Sequence, residues 1–520
     1  MNKIQYISAF FLFIFSCNIG FAQDVNIVDF GAIPDGVTLN TKAIQAAVDK
    51  AHENSGGRVI IPSGIFLSGT IKLKSNVELH LEKNATILGS TNVNHYSRSD
   101  GDFALIAAYN QNNISISGEG TIDGQGQKLA LFIDSLHHTG EQVDPNYNYR
   151  RMRSGNRPNL VKLRNCENVK IVEINAIASA NWVFRLDKCN QMVIDGIKVN
   201  SDVYWNNDGI DLEDCKNVRM VNCFVNAADD GICLKSNDPD SFCDQIYIAN
   251  NTIRSSASAI KFGTASAGGF KNITIENIKI YDTFRSALAF ESVDGGTLEN
   301  ISAKNITATN TGNAIFIRLG HRNTDGKVGV VRNIKIENMI VDIPFTAPDI
   351  NYNIRGPELP FFHNPFPASI TGIPNHYVEN ITLENIEISY PGRANKGYAH
   401  VSLWNLDIVP ENESSYPEFS MFGELPSWGF YVRHVNGLEL NNVRLNVRKE
   451  DFRPAYVFDD VKNLKIKEGN IASPVKTDQV VIKNVHQAII ENLLIDWEKL
   501  INVPGYGAHS GIEGVNVQDN

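Results

Sequence analysis

The sequence predicts an all-β chain, wound as a single-stranded right-handed parallel β-helix with an N-terminal capping helix. Three observations carry this. A short phrase recurs: NVKIVEI at Asn168, QMVIDGI at Gln191, NVRMVNC at Asn217, QIYIANN at Gln245, NITIENI at Asn272 and NISAKNI at Asn300, with later copies at Asn333, Asn380, Gly437 and Asn463. Its second residue steps by 23, 26, 28, 27 and 28 positions, with strand-like alternation inside each copy and Asn, Gly and Asp turns between copies. Units of that length hold three short strands and bury their apolar face only on one another. Finally, Cys166, Cys189, Cys215 and Cys243 stand three residues before successive copies of that second position, followed there by Phe270 and Leu298. Cys packs as a small buried hydrophobe, so this register reads as an interior ladder. Cys223 and Cys233 remain available to pair in an exported protein.

Taken in order, the chain opens on MNKIQYISAFFLFIFSCNIGFAQD, with Lys3, an apolar run and small residues up to Ala22. This predicts a signal peptide over residues 1–22, cut after Ala22, and export to the periplasm or the exterior. The rival is an outer-membrane lipoprotein anchored at Cys17, although Phe15 is bulky for such a site. Residues 23–520 are expected to form one β-helix domain and to act as a monomer. Asn40 or Thr41 followed by KAIQAAVDKAHEN reads as a capped amphipathic helix covering the open end of the stack. GEGTIDGQG (residues 118–126) reads as coil turns with no helix after it. The step between phrases grows to 47 residues from Ile334 to Ile381 and to 57 from Ile381 to Leu438. Aromatic- and Pro-rich loop insertions are therefore expected around 340–378 and 393–433. Net charge is −11 (47 Lys and Arg against 58 Asp and Glu), without a basic cluster, which excludes nucleic acid and anionic membranes as partners.

Aligning the coils turns the sequence into columns. Phe184, Ile210, Ile232, Ile260, Leu288 and Ile315 form one apolar column; Leu186, Leu212, Leu234, Phe262, Phe290 and Ile317 form another. Both face the core, so the column between them faces outward: Arg185, Asp211, Cys233, Lys261, Ala289 and Phe316. The next outward column reads Asp187, Glu213, Lys235, Gly263, Glu291 and Arg318. At the strand entrance stand Trp182, Asp208, Asp230, Ser258, Ser286 and Asn313. The phrases NNDGIDLE (206–213) and DDGICLKS (229–236) thus stack Asp208 on Asp230, about 4.8 Å apart, with Asp229 beside them. Asp-Gly pairs commonly mark turns, but a turn needs no third carboxylate. Three acids so close repel and raise at least one pKa unless cations intervene. The arrangement points to a catalytic site.

At these residues the sequence resembles glycoside hydrolase family 28, the polygalacturonase and rhamnogalacturonase family. The resemblance also covers VDFGAIPDGVTLNTKAIQAAV and GGRVIIPSGIFLSGTIKLKSNVELHLEKNATILGS, and fades beyond about residue 340. The family's Asn-Thr-Asp-Gly motif corresponds to Asn206-Asn207-Asp208-Gly209, and its Asp-Asp pair to Asp229-Asp230. Its Gly-His-Gly motif falls on Ala257-Ser258-Ala259, and its Arg-Ile-Lys motif on Ala289-Phe290-Glu291, so the histidine and both cations are missing. The resemblance implies a hydrolase of a pectin-like or other acidic polysaccharide or oligosaccharide, inverting and requiring neither metal nor cofactor.

Hydrolysis needs one carboxylic acid to protonate the leaving oxygen and one carboxylate to activate water. Asp208 and Asp230 are expected to grip the water and Asp229 to keep the proton. Lys261 and Arg318 occupy the missing cations' columns in other coils and are candidates to replace them, unless the sugar differs. Asn206 is a substrate or acid-orienting contact, or a turn residue. Lys235 is a substrate contact or a counter-charge. Arg318, His321 and Arg322, in IRLGHR, crowd three potential cations. Tyr416, Phe422, Trp428 and His434, from the insertions, are candidates for sugar stacking and hydroxyl contacts. If the insertions wall off one end of the groove, action is exo. Two alternatives compete: a polysaccharide lyase using Lys261 as base, with a divalent cation on the acids, and a non-catalytic carbohydrate-binding β-helix.

Overall fold

A computed structural model of the chain describes residues 24–324, 326–348, 364–399, 401–403, 405–476, 478–495, 500–502 and 516–518. The expected signal peptide and Cys17 lie outside these residues. Every strand pairing is parallel and joins one coil to the next, giving the right-handed β-helix. One coil runs through Phe184–Asp187, Asn190–Asp195 and Lys198–Ser201, and the next through Ile210–Glu213, Lys216–Val221 and Phe224–Ala227.

The recurring phrase opens on a corner. Asn168, Gln191, Asn217, Gln245, Asn272, Asn300, Asn333, Asn380 and Asn463 all have φ between 54° and 60°. Asn tolerates this left-handed region because its short amide bonds locally. The corner amides also stack: Asn300 donates to Asn272 (3.1 Å), Asn333 to Asn300 (3.2 Å) and Asn380 to Asn333 (3.2 Å).

The columns pair in the predicted register from Phe184 through Ile210, Ile232, Ile260 and Leu288 to Ile315, all buried. The cysteines form an interior ladder continued by Phe270 and Leu298. Cys223 and Cys233 are both free thiols, each buried, so no disulfide joins them. One column slips: Leu234 pairs with Phe262, but Ser236 pairs with Ser266, and residues 263–265 bulge outward opposite Lys235.

Helix α1 (Thr41–Glu53) buries Ile44, Ala47, Val48 and Ala51 against the first coil. Asn40 sits at its N-cap position without capping, because its amide instead ties Ile33 and Thr38 into the preceding loop. Contrary to expectation, a helix does follow GEGTIDGQG: α2 (Gly126–Thr139) starts on the last glycine. There a Cβ would lie 2.0 Å from the Ser179 carbonyl oxygen, so only Gly lets the helix start against the wall.

The outward column ends in a second core. Ala289 and Phe316, then Tyr431, Val457 and Val481 in later coils, are buried beneath Phe366, Leu406, Val409, Phe419, Phe422 and Leu425 from the insertions. Among the described residues, no helix is long and apolar enough to cross a membrane.

Candidate active site

The repeated Asp-Gly has a steric cause. A Cβ on Gly209 would lie 2.5 Å from the Gly231 carbonyl oxygen, and one on Gly231 would lie 2.7 Å from that of Ala259. Neither distance is possible for a side chain, so the strand entrance is Gly in both coils. The preceding residues then stack, and their backbones pair: Gly209 N–H donates to Asp230 O (2.9 Å) and Gly231 N–H to Ser258 O (2.9 Å). Asn207, fully buried, staples the first turn by donating to Ser179 O and Asn181 O while accepting from Ser201 Oγ and the Tyr204 amide.

Asp208, Asp229 and Asp230 converge, each offering one carboxylate oxygen within 4.8 Å of the other two. They form the floor of an open cleft of about 760 Å³ that is also lined by Trp182, Arg185, Asn206, Lys235, Lys261, Arg322 and Tyr416. Asp208 and Asp230 are almost fully buried and Asp229 is partly exposed.

Lys235 Nζ lies 3.3 Å from Asp208 Oδ2 and also contacts Asp211, one column outward. Lys261 Nζ lies 3.3 Å from Asp230 Oδ2 and 3.1 Å from the Tyr416 hydroxyl. The Ser258 amide donates to Asp230 Oδ1 (3.2 Å). Burial pushes Asp230 up, but Lys261, Lys235 and Arg285 outweigh it and hold the carboxyl below its usual range. Burial, with the charges of Asp211 and Asp229, drives Asp208 well above that range, and its Oδ1 has no hydrogen-bond partner. Burial likewise lifts Asp211 to about 7, against the pull of Lys235. Burial and like charge thus favour a proton retained within the trio.

Burial opposes the charge on Lys261, yet Asp230 and its other neighbours hold its pKa well above the ordinary lysine value. Held as an ammonium, Lys261 is a counter-charge to Asp230.

The other candidates divide. Asn206, with φ 57°, touches Asp229: its Nδ2 donates to Oδ2 at 3.4 Å. Arg322 lines the cleft while paired through two bonds with Asp294 (2.8 and 2.6 Å). Arg318, 1 % exposed, turns away and donates to the carbonyls of Gly372, Glu411 and Asn412. It therefore replaces no substrate-facing cation. His321 bonds Gly326 O, and His434 is held between Asp460 Oδ2 (2.6 Å) and Glu411 Oε1 (3.1 Å); neither lines the cleft. Of the aromatics from the insertions, Tyr416 borders it. Phe422 packs in the second core and Trp428 inside the coils against Tyr390, because each fills an apolar hole left by an insertion.

The columns missed three features. Trp182, visible at the strand entrance, carries Lys235 4.4 Å from its ring centroid. Arg285 is half-buried near the acids and pairs with Glu418 (3.3 Å). Glu291, in the family's lysine position, is pushed by burial to about 8, against Lys261.

A family model described as Glycosyl hydrolases family 28 matches residues 53–342. A Vitis vinifera protein named "Probable polygalacturonase" is 26% identical over 337 residues, covering 61% of this chain and 60% of its own. An exo-poly-alpha-D-galacturonosidase of Dickeya chrysanthemi is 25% identical over 356 residues, covering 58% of each. The chain thus spans about three fifths of the length of these curated relatives. The crystal structure of a hyperthermoactive exopolygalacturonase from Thermotoga maritima superposes with a TM-score of 0.56 at 24% identity, over 71% of this chain and 87% of that one. At that identity the likeness concerns fold.

Proposed function

The chain belongs to glycosyl hydrolases family 28, and from that premise we propose that it is an exported, exo-acting glycoside hydrolase of pectin-like acidic oligosaccharides. The observation that carries the reading is the carboxylate trio on the cleft floor, with Asp230 kept ionised by Lys261 and a proton retained beside it. Asp230, stacked on Asp208, is the base and grips the attacking water between the coils. Burial and like charge favour a proton kept within this crowded trio. Asp229, the most open of the three, delivers it to the leaving oxygen. Inversion, a single attack by that water opposite the departing group, is what the family resemblance implies.

Exo-action is supported by the insertion that roofs the outward column beyond Lys261 and brings Tyr416 to that end of the cleft. One observation favours a second reading of the sugar. Each cation lining the cleft already has a carboxylate partner: Arg164 with Asp187, Arg185 with Glu213, Lys188 with Asp238, Lys235 with Asp208 and Asp211, Lys261 with Asp230, and Arg322 with Asp294. A cleft so neutralised suits a ring that offers hydroxyls at the cleavage point, within an otherwise acidic chain.

The test is incubation with oligogalacturonides, rhamnose-containing pectic fragments and neutral side-chain oligosaccharides, with products identified and the anomer followed by NMR. Hydrolysis from one chain end with inversion, abolished in Asp229→Asn with binding kept, is expected. Unsaturated products would move the protein to the lyases, and binding without turnover of any substrate would make it a carbohydrate-binding helix. Sequencing of the mature N-terminus, expected to begin after Ala22, tests export.

A further inference from the structure

Arg157 is a buried guanidinium that the reaction so described does not use. It is 2 % exposed and lies in the irregular segment after α2. Its Nε donates to Ser154 O (2.7 Å), Nη1 to the carbonyls of Ala180 and Trp205, and Nη2 to Asn206 Oδ1 (3.0 Å). Every one of these acceptors is an amide oxygen. A buried cation with no carboxylate of its own is costly unless something uses it.

We propose that Arg157 is a positioning residue for the acid Asp229, acting through Asn206. A guanidinium has five donors and no acceptor. The Asn206 amide must therefore turn its oxygen toward Arg157, which leaves its Nδ2 aimed at Asp229 Oδ2, 3.4 Å away. The reversed amide would set oxygen against carboxylate at one end and NH₂ against guanidinium at the other. The Asp230 amide meanwhile donates to Asp229 Oδ1 (3.1 Å). Each oxygen of Asp229 thus has one donor, which fixes the carboxyl plane and leaves the remaining lone pairs free for a proton facing the cleft. After the proton has gone to the leaving oxygen, the same two donors stabilise the carboxylate left behind. Asn206 has φ 57°, a conformation that sends its side chain from the turn toward both partners.

The inference rests on Asp229 being the acid. The experiment compares Arg157→Lys, Asn206→Gly and the double variant on the oligosaccharide the wild type turns over. Gly removes the amide without straining a left-handed residue. Each single variant is expected to lower kcat about tenfold to a hundredfold with KM nearly unchanged, since misplacing a reacting group costs on that order. The alkaline limb of the kcat/KM profile should move up by roughly half a unit to one unit as the donor leaves Asp229. The double variant should be no worse than the poorer single, because both break the same relay. Additive losses, an unmoved alkaline limb in Asn206→Gly, or an Arg157→Lys chain that does not fold would each overturn the proposal and leave Arg157 a structural residue. Full activity in Asp229→Asn would instead sink the underlying assignment, whatever Arg157 does.

Discussion

From Arg185 to Lys261 the outward column carries the charges of Arg185, Asp211 and Lys261 beside the cleft; from Ala289 to Val481 the same column is apolar but for Ser369, and covered. Register is continuous through both halves. What differs is what lies above: solvent and Asp208, Asp229 and Asp230 in the first half, and the insertion carrying Leu406, Phe419 and Phe422 in the second. Strand register fixes the direction in which a side chain leaves the coil. Whether it then meets water or a lid is decided by loops that obey no repeat.

The largest test of the open half is Asp230→Asn. Replacing the ionised member of the trio by an amide removes the base without changing shape, and general-base losses run to about 10²–10⁴-fold. We expect kcat to fall about a thousandfold or more, with a loss of stability as well because the buried Lys261 loses its carboxylate. Phe316→Ala, in the outward column under the roof, should show lost stability with chemistry retained.

Lys235→Met sharpens the comparison next. It leaves Asp208 and Asp211 buried without their cation, and breaking a buried pair costs about 3–5 kcal/mol. Chemical denaturation at pH 7 to 8 should register that loss. The penalty should shrink as pH falls, because Asp211, pushed up to about 7 by burial even beside Lys235, and Asp208, pushed well above its usual range, take protons in place of the missing ammonium. A loss independent of pH would mean that packing, and not charge, is what Lys235 supplies.

Phe419→Ala probes the roof itself. The ring meets Phe366 edge-on at 4.9 Å and Phe284 at 6.3 Å, and emptying such a site costs about 3 kcal/mol. If the roof is what makes the enzyme exo-acting, the variant should begin to release internal fragments, visible as a spread of product lengths from a long oligosaccharide.

These contrasts also mark what the sequence could tell. Columns, the cysteine ladder and the stacked acids were legible because each follows from a fixed period and from side chains alternating across a strand. The roof was not, since Phe316 looks outward by period and only insertions 50 or more residues downstream cover it. Arg318 and His434 read as free polar groups for the same reason: their partners, Glu411 and its neighbours, sit in an insertion with no register. Arg157 escaped because it belongs to an irregular segment, where no column exists to place it. The slip at residues 263–265 was invisible because the coil lengthened without changing its apolar phrase.

The smallest effect tests how the roof is held to the coil. His434 bridges them, with Nδ1 on Asp460 of the coil and Nε2 on Glu411 of the insertion. Burial opposes its charge, but those two carboxylates win and raise its pKa. A histidine whose folded pKa is raised adds stability that is fully present below its unfolded value, about 6.5, and is lost as pH climbs through the folded value. Wild type should therefore exceed His434→Gln in stability by roughly 1 kcal/mol at pH 6, and the gap should close toward alkaline pH. Because Glu411 lies in the same insertion as Tyr416, the ratio of end-released to internal products should drift with that gap. A gap that stays constant across pH would show that neutral hydrogen bonds, not the imidazolium, fasten the roof.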